Sequence, residues 1–199
     1  MTATDIRELD RRAVLASIDV VSLATADDLG RATPCAGWTL GDLLAHMTVQ
    51  HHGFAAAAAG GGADPAVWEV RPLAADPISA YAGAADTVLA AFAAEGMLER
   101  RFSLPEISTR LTFSGARAIG FHCVDYVVHG WDVARSLRVR YEPDPDLVAA
   151  ALRIARAVPD GPERLEPGAA FRPGVAAPEG TTALDLVVSA LGRSPNWPG

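Results

Sequence analysis

The sequence contains no lysine, because all 17 of its basic residues are arginine. This absence excludes Schiff-base chemistry and a lysine general base. Acidic residues number 24 and the net charge is −7, which argues against nucleic acid as a partner and provides no basic patch for an anionic membrane. The two cysteines, Cys35 and Cys123, do not make a disulfide framework.

Other familiar signals are missing as well. No charge-free run of about 18 apolar residues occurs, so no membrane span is expected. The charged start MTATDIRELDRR lacks the apolar region of a secretory signal, and we therefore expect a cytoplasmic, reduced protein. There is no Gly-rich phosphate loop in a strand–helix context, no G-x-S-x-G motif and no CxxC motif. Nucleotide-binding, serine-hydrolase and dithiol mechanisms are therefore not indicated.

Half of the 199 residues are hydrophobic, which is enough for one domain with a substantial core. Apolar residues at three- and four-residue spacing predict amphipathic helices over 4–24, 40–59, 77–95 and 114–137. Thr39 and Asp42 predict a capping box for the second helix, and Ser114 an N-cap for the fourth. Residues 100–113 are predicted to be extended, as a hairpin or a crossing loop. This order of elements predicts an all-α fold, a four-helix bundle over 1–140.

The last third of the sequence has a different composition and pattern. Asp144 and Pro145 predict a short helix to about residue 158, and a proline- and glycine-rich stretch follows over 159–180. A last helix is predicted over 182–191. We expect residues 141–199 to form a small mixed appendage packed on the bundle. An exposed apolar face on the first or third helix would permit a homodimer.

The predicted fourth helix carries the main functional signal. At about 100° per residue, one stripe collects Ala118, Phe121, His122, Asp125, His129, Asp132 and Ser136. The rest of the circumference is apolar, so the stripe is predicted to face inward, where imidazoles and carboxylates are costly unless they are paired or bind a metal. Asp125 and His129 lie one turn apart and can hold one cation from one side. The alternative is a hydrogen bond between them on a solvated face.

A third ligand is available in the second helix. His46 lies there among apolar residues, and it completes a set of two imidazoles and one carboxylate, although a hydrogen-bonded core histidine is the alternative. This set suits a divalent metal, with zinc ranked first and nickel or iron as alternatives. Three protein ligands leave open positions, as in catalytic sites. His51 and His52 wind to the other side of the helix and are not predicted as ligands.

Neighbouring polar residues suggest further roles. His122 is predicted to be a further ligand, a proton shuttle or a residue behind the ligands. Together with Gln50, it is the candidate for positioning a substrate or moving a proton. Asp132 is predicted either to accept the second ring N–H of His129 or to pair with Arg135.

The remaining candidates have plainer alternatives. Cys35 precedes the second helix and is either an acidic thiol or a small residue buried in a tight loop. Cys123 is predicted to fill the core. Arg110 and Arg117, near the start of the fourth helix, are either ligands for a substrate carboxylate or solvated surface charges.

Three blocks, TPCAGWTLGDLLAHM, FHCVDYVVHGWDVARSL and the terminal LGRSPNW, resemble the DinB-like metal-binding proteins of actinobacteria, the group related to mycothiol-dependent maleylpyruvate isomerase. The resemblance covers residues 5–140, and the last block extends it to the end of the chain. It implies a DinB-like four-helix bundle with a metal at its mouth. By position, the implied ligands are His46, Asp125 and His129. The best-characterised isomerases of the family have Glu where this chain has Asp125.

The leading functional hypothesis is therefore a metal-dependent enzyme that acts on a small-molecule substrate. An open metal position would bind and deprotonate a thiol, such as mycothiol, or a water, and the chemistry would be that of an isomerase or an S-transferase. One alternative is a non-catalytic metal-containing protein that binds or sequesters a small ligand. Another is a structural bundle without metal.

Overall fold

A computed structural model of the chain describes residues 4–166 and 169–198. This part is mostly helical, with a small antiparallel sheet, so the predicted helical class is confirmed. Within the described ranges, none of the helices combines the length and the apolar character needed to cross a membrane. The elements are α1 (Ile6–Val21), α2 (Leu40–Ala58), α3 (Pro77–Phe92), β1 (Arg101–Ser103), β2 (Thr112–Ser114), α4 (Gly115–Leu137), α5 (Pro145–Ala157) and α6 (Ala183–Ala190).

Side-chain caps begin the two helices that carry the candidate ligands. At the start of α2, the Thr39 hydroxyl accepts from the Asp42 backbone N–H, and the Asp42 carboxylate accepts from the Thr39 backbone N–H, as the predicted capping box requires. At the start of α4, Ser114 accepts from the backbone N–H of Arg117. The helix ends at Arg138, whose φ of 60° is left-handed.

The extended segment before α4 is a hairpin, one of the two predicted alternatives. Strands β1 and β2 pair antiparallel, with Phe102 opposite Phe113. Both phenylalanine rings are buried in a core cluster that also contains Phe54 of α2 and Phe92 of α3. The hairpin is thereby anchored beside α2, and its connecting loop lies near the candidate ligands.

Helix α4 is surrounded by the rest of the fold. It packs along α1 and also contacts α2 and α5, while α2 packs along α3. The larger core cluster draws residues from α1, α2 and α4, but also Leu147 of α5 and Val187 of α6. His122, His129 and Asp132 of the polar stripe are all buried. The packing of α4 therefore places this stripe in the protein interior.

Candidate metal centre

Helices α2 and α4 bring His46, Asp125 and His129 together. One ligand atom from each lies within 4.8 Å of the other two. Nε2 of His129 is 3.4 Å from Oδ1 of Asp125, and the rings of His46 and His129 meet edge to face with centroids 5.2 Å apart. A zinc ion about 2.0–2.2 Å from each donor holds its ligands at most about 4.4 Å apart. Small side-chain movements are therefore enough for the three to share one ion.

The electrostatics of these side chains fit a divalent cation. Burial lowers the pKa of His46 to about 4, so its imidazole is neutral and has a lone pair to donate. Burial alone also lowers the pKa of His129, but the carboxylates Asp125 and Asp132 raise it to about 10. The His46 ring forms no hydrogen bond within the described part of the chain; its aromatic neighbours are Trp38 and His129. The site thus offers one uncommitted neutral imidazole beside a second imidazole that two carboxylates hold protonated in the absence of metal.

The second ring nitrogen of His129 is held by a carboxylate. Nδ1 lies 2.9 Å from Oδ2 of the fully buried Asp132. Burial raises the pKa of Asp132, but Arg193 and His129 outweigh it and lower the value, so the carboxylate is ionised and accepts from Nδ1–H. This bond leaves Nε2 of His129 to face the other ligands. Arg135, the alternative partner predicted for Asp132, donates instead to the carbonyl oxygen of Trp197.

A second group of potential ligands shares His129. Cys35, His129 and Asp132 also offer ligand atoms within 4.8 Å of one another. However, Nη2 of the buried Arg193 lies 3.3 Å from both Sγ of Cys35 and Oδ2 of Asp132. Because this guanidinium already supplies the positive charge there, a metal ion would have to displace it. The group of His46, Asp125 and His129 is therefore the candidate metal centre.

Cys35 is half-buried, and its thiol donates to Oδ2 of Asp132 at 3.2 Å. Cys35 therefore belongs to the hydrogen-bonded cluster around Asp132, and whether its thiol is acidic stays a prediction. Cys123 is fully buried in the larger core cluster, as predicted.

His122 lies outside the candidate metal centre, in a second buried cluster. Its Nδ1 is 2.7 Å from Oδ1 of Asp10, and its Nε2 is 3.2 Å from Nδ1 of His51. All three side chains are completely buried, and the His51 ring stacks on Tyr126 with centroids 4.0 Å apart. Three residues of α4, about 4.5 Å along its axis, separate His122 from Asp125, and the His122 ring lies against Asp10 of α1. Both ring nitrogens are occupied, so this position gives no support to the catalytic role predicted for His122.

Gln50 lies one turn after His46 on α2. Its Nε2 donates to Oε2 of Glu106 at 2.7 Å, and Glu106 comes from the loop between β1 and β2. Burial raises the pKa of Glu106, the hydrogen bond from Gln50 offsets part of this, and the charge of Asp125 raises it further. Gln50 is thus near the predicted ligands and holds a second carboxylate there.

Four residues of these clusters were not singled out by the sequence pattern. Asp10 had a usable signal, because it interrupts the apolar face of α1 and acidic residues are rarely buried without a partner. His51 was predicted to lie on the other side of α2 from His46. Its ring contacts His122 and Tyr126 of α4, and it also lies against Tyr81 of α3, with ring centroids 5.2 Å apart. Glu106 and Arg193 lie outside the helices, where no periodic pattern applies.

This geometry defines a class of protein that is mostly helical and in which two imidazoles and one carboxylate converge on one point. Residues 11–134 match the family of mycothiol maleylpyruvate isomerase N-terminal domains, and the chain belongs to this family. The predicted relationship to mycothiol-dependent maleylpyruvate isomerase is thereby confirmed. Uncharacterized proteins from two strains of Mycobacterium tuberculosis are each 30% identical over 178 residues, which are 85% of this chain and 87% of the relative. No solved structure matches the chain.

Proposed function

We propose that the chain is a metal-dependent enzyme that acts on a small molecule by thiol-dependent isomerase or S-transferase chemistry. His46, Asp125 and His129 would hold the metal. The observation that carries this proposal is the convergence of their ligand atoms to within 4.8 Å of one another. Membership in a family named for mycothiol maleylpyruvate isomerase supports a thiol as the co-reactant.

The exposure of the ligands supports an open centre rather than an enclosed one. His129 is only 4% exposed, but His46 and Asp125 are half-buried. His46 also lines a surface cavity of about 960 Å³. Three protein ligands, one of which lines a cavity, leave room for a thiol or a water in a further position. When bound there, a divalent metal supplies Lewis acidity that lowers the pKa of such a ligand.

The chain's own residues orient this centre. Asp132 accepts from Nδ1 of His129 and so directs Nε2 toward the ligand position, while Arg193 balances the charge of Asp132. Gln50 donates through its amide nitrogen to Glu106. Its amide oxygen accepts no hydrogen bond from the described residues, so we assign Gln50 to positioning the substrate.

Several finer assignments belong to the same proposal. Zinc is the first choice of metal, nickel and iron are the alternatives, and mycothiol is the proposed thiol. We assign α1–α4 to a DinB-like four-helix bundle because α1 packs along α4, α2 packs along α3, and α2 contacts α4. The division into residues 1–140 and 141–199, the cytoplasmic location and the homodimer stay predictions.

Metal analysis of the purified full-length chain tests the centre. We expect about one divalent ion per chain, and loss of that ion in His46→Ala and in His129→Ala. His52→Ala is the matched control, because His52 is an exposed histidine on the same helix as His46. Full metal content in both ligand variants would refute the assignment.

Turnover with a thiol distinguishes the enzyme from the alternatives. We expect thiol-dependent conversion of an activated double bond or displacement substrate by the metal-loaded chain, and loss of this activity in Gln50→Ala with metal content retained. A chain that keeps its metal but shows no turnover in a thiol-conjugate screen would favour the non-catalytic binding protein. A melting temperature unchanged by chelators, together with no bound metal, would favour the structural bundle.

A further inference from the structure

Two cavities adjoin on the outer side of α2. The first has a volume of about 960 Å³ and is lined by His46 and Trp38 among others. The second, of about 380 Å³, extends along α2 toward α3. The two share lining residues, namely Ala45, Arg71, Pro72 and Leu73. They therefore form one groove that starts at a proposed metal ligand, and both volumes are in the range of small-molecule sites.

The second cavity is lined largely by apolar side chains. The residues that give it this character include Ala45, Val49, Ala56, Val67, Leu73 and Ala80. Such a lining favours binding of the apolar part of a ligand, which leaves water when it binds. By itself the lining does not fix the orientation of that ligand.

Arg71 is the charged residue among the four that line both cavities. Leu73, two residues later, packs against the core and lies close to Gly41 at the start of α2, so the segment is held in place. The exposed Arg71 forms no hydrogen bond or ion pair within the described residues. Of the nearby carboxylates, Asp42 caps α2 and Asp76 caps α3, and Glu69 forms no ion pair with Arg71 among the described residues. The guanidinium is therefore available to a ligand in the groove.

We propose that this groove binds an apolar molecule carrying a carboxylate, and that Arg71 binds the carboxylate. A guanidinium pairs with a carboxylate through two parallel N–H donors, which fixes orientation as well as charge. The proposal rests on the proposed function for its direction, because His46 lines the first of the two cavities. It names the substrate class as an amphipathic organic anion. Arg117, by contrast, lies over the rings of Phe113 and Phe121, away from this groove.

Calorimetric binding of octanoate and of its neutral analogue octanamide to the full-length chain tests the proposal. We expect octanoate to bind more tightly than octanamide. Arg71→Gln should weaken octanoate about tenfold or more, as expected for a hydrogen bond to a charged group, and should leave octanamide within about twofold. Arg153→Gln is the matched control, because Arg153 is an exposed arginine on α5 outside both cavities. Ala45→Phe, which fills the junction, should weaken both probes.

Three results would overturn the proposal: no saturable octanoate binding, equal affinity for the two probes, or equal effects of Arg71→Gln and Arg153→Gln. The titrations are repeated with metal-free protein and with His129→Ala, because His129 does not line the groove. Octanoate binding should persist in both, and octanoate binding by a native chain that takes up no metal would refute the proposed function alone. Metal binding without octanoate binding would refute the groove alone.

Discussion

Replacing Asp132 by Asn tests whether the candidate metal centre depends on the residue behind His129. In the native chain an ionised, fully buried carboxylate lies 2.9 Å from Nδ1 of His129. A hydrogen bond to a charged group contributes about 1.5–3 kcal/mol, and about 1.4 kcal/mol corresponds to a factor of ten. The expected loss of metal affinity is therefore about 10- to 100-fold, the range measured for carboxylates behind metal-bound histidines.

Competition with a chelator of known affinity measures this effect. The matched control is Asp10→Asn, because Asp10 also forms a buried contact with a histidine, 2.7 Å from Nδ1 of His122, but in the other cluster. We expect Asp10→Asn to lower stability and to leave metal affinity within about twofold. Equal metal affinity in Asp132→Asn and the native chain would refute our account of His129.

Asp132→Asn also leaves Arg193 buried without its carboxylate partner. The destabilisation that follows must therefore be separated from the effect on the orientation of the His129 ring. The double variant Asp132→Asn/Arg193→Gln removes both charges, which is less costly than an unpaired buried charge. We expect it to regain thermal stability relative to Asp132→Asn and to keep the weakened metal affinity. Full recovery of the affinity would show that destabilisation alone explained the single variant.

Three further predictions follow from other contacts. Because the pKa of His129 is about 10 without metal, metal binding near neutral pH should release about one proton. The metal affinity should therefore rise about tenfold per pH unit as the pH approaches that pKa. Calorimetry in two buffers that shows no proton release would contradict this. Asp10→Asn should lower the free energy of unfolding by about 1–3 kcal/mol, because it disturbs a buried hydrogen bond to His122, while the exposed Asp19→Asn has little effect, and equal denaturation midpoints would argue against it. Gly115→Ala should lower the free energy of unfolding by about 1–3 kcal/mol, because the added methyl would collide with a backbone carbonyl. Gly83→Ala is the control, because its methyl meets open space. Equal melting temperatures for the two variants would refute this.

Local periodicity was sufficient for the helices and for one half of the centre. The predicted segments 40–59 and 114–137 nearly coincide with α2 and α4. Asp125 and His129 are neighbours through helical geometry alone, so their proximity could be predicted from their spacing. The approach of His46 depends on how α2 packs against α4, so its place on an apolar helix face and the resemblance to a known family could indicate it, but no spacing could.

The rest of the site could not be predicted from spacing, because it depends on long-range contacts. Arg193 meets Asp132 across 61 residues of sequence, and Glu106 reaches Gln50 across 56. The stripe on α4 also does not show which neighbouring helix each of its residues meets. His122 shares the angular position of the ligands, yet it contacts Asp10 of α1 instead.

The contact between Arg193 and Asp132 bears on C-terminal truncation of the chain. The family match ends at residue 134, yet the cation that compensates the buried Asp132 comes from near the C-terminus. A product that stopped before residue 193 would contain all three metal ligands and still leave a carboxylate uncompensated in the interior. A premature stop codon late in the reading frame should therefore weaken the metal centre although every ligand is still encoded.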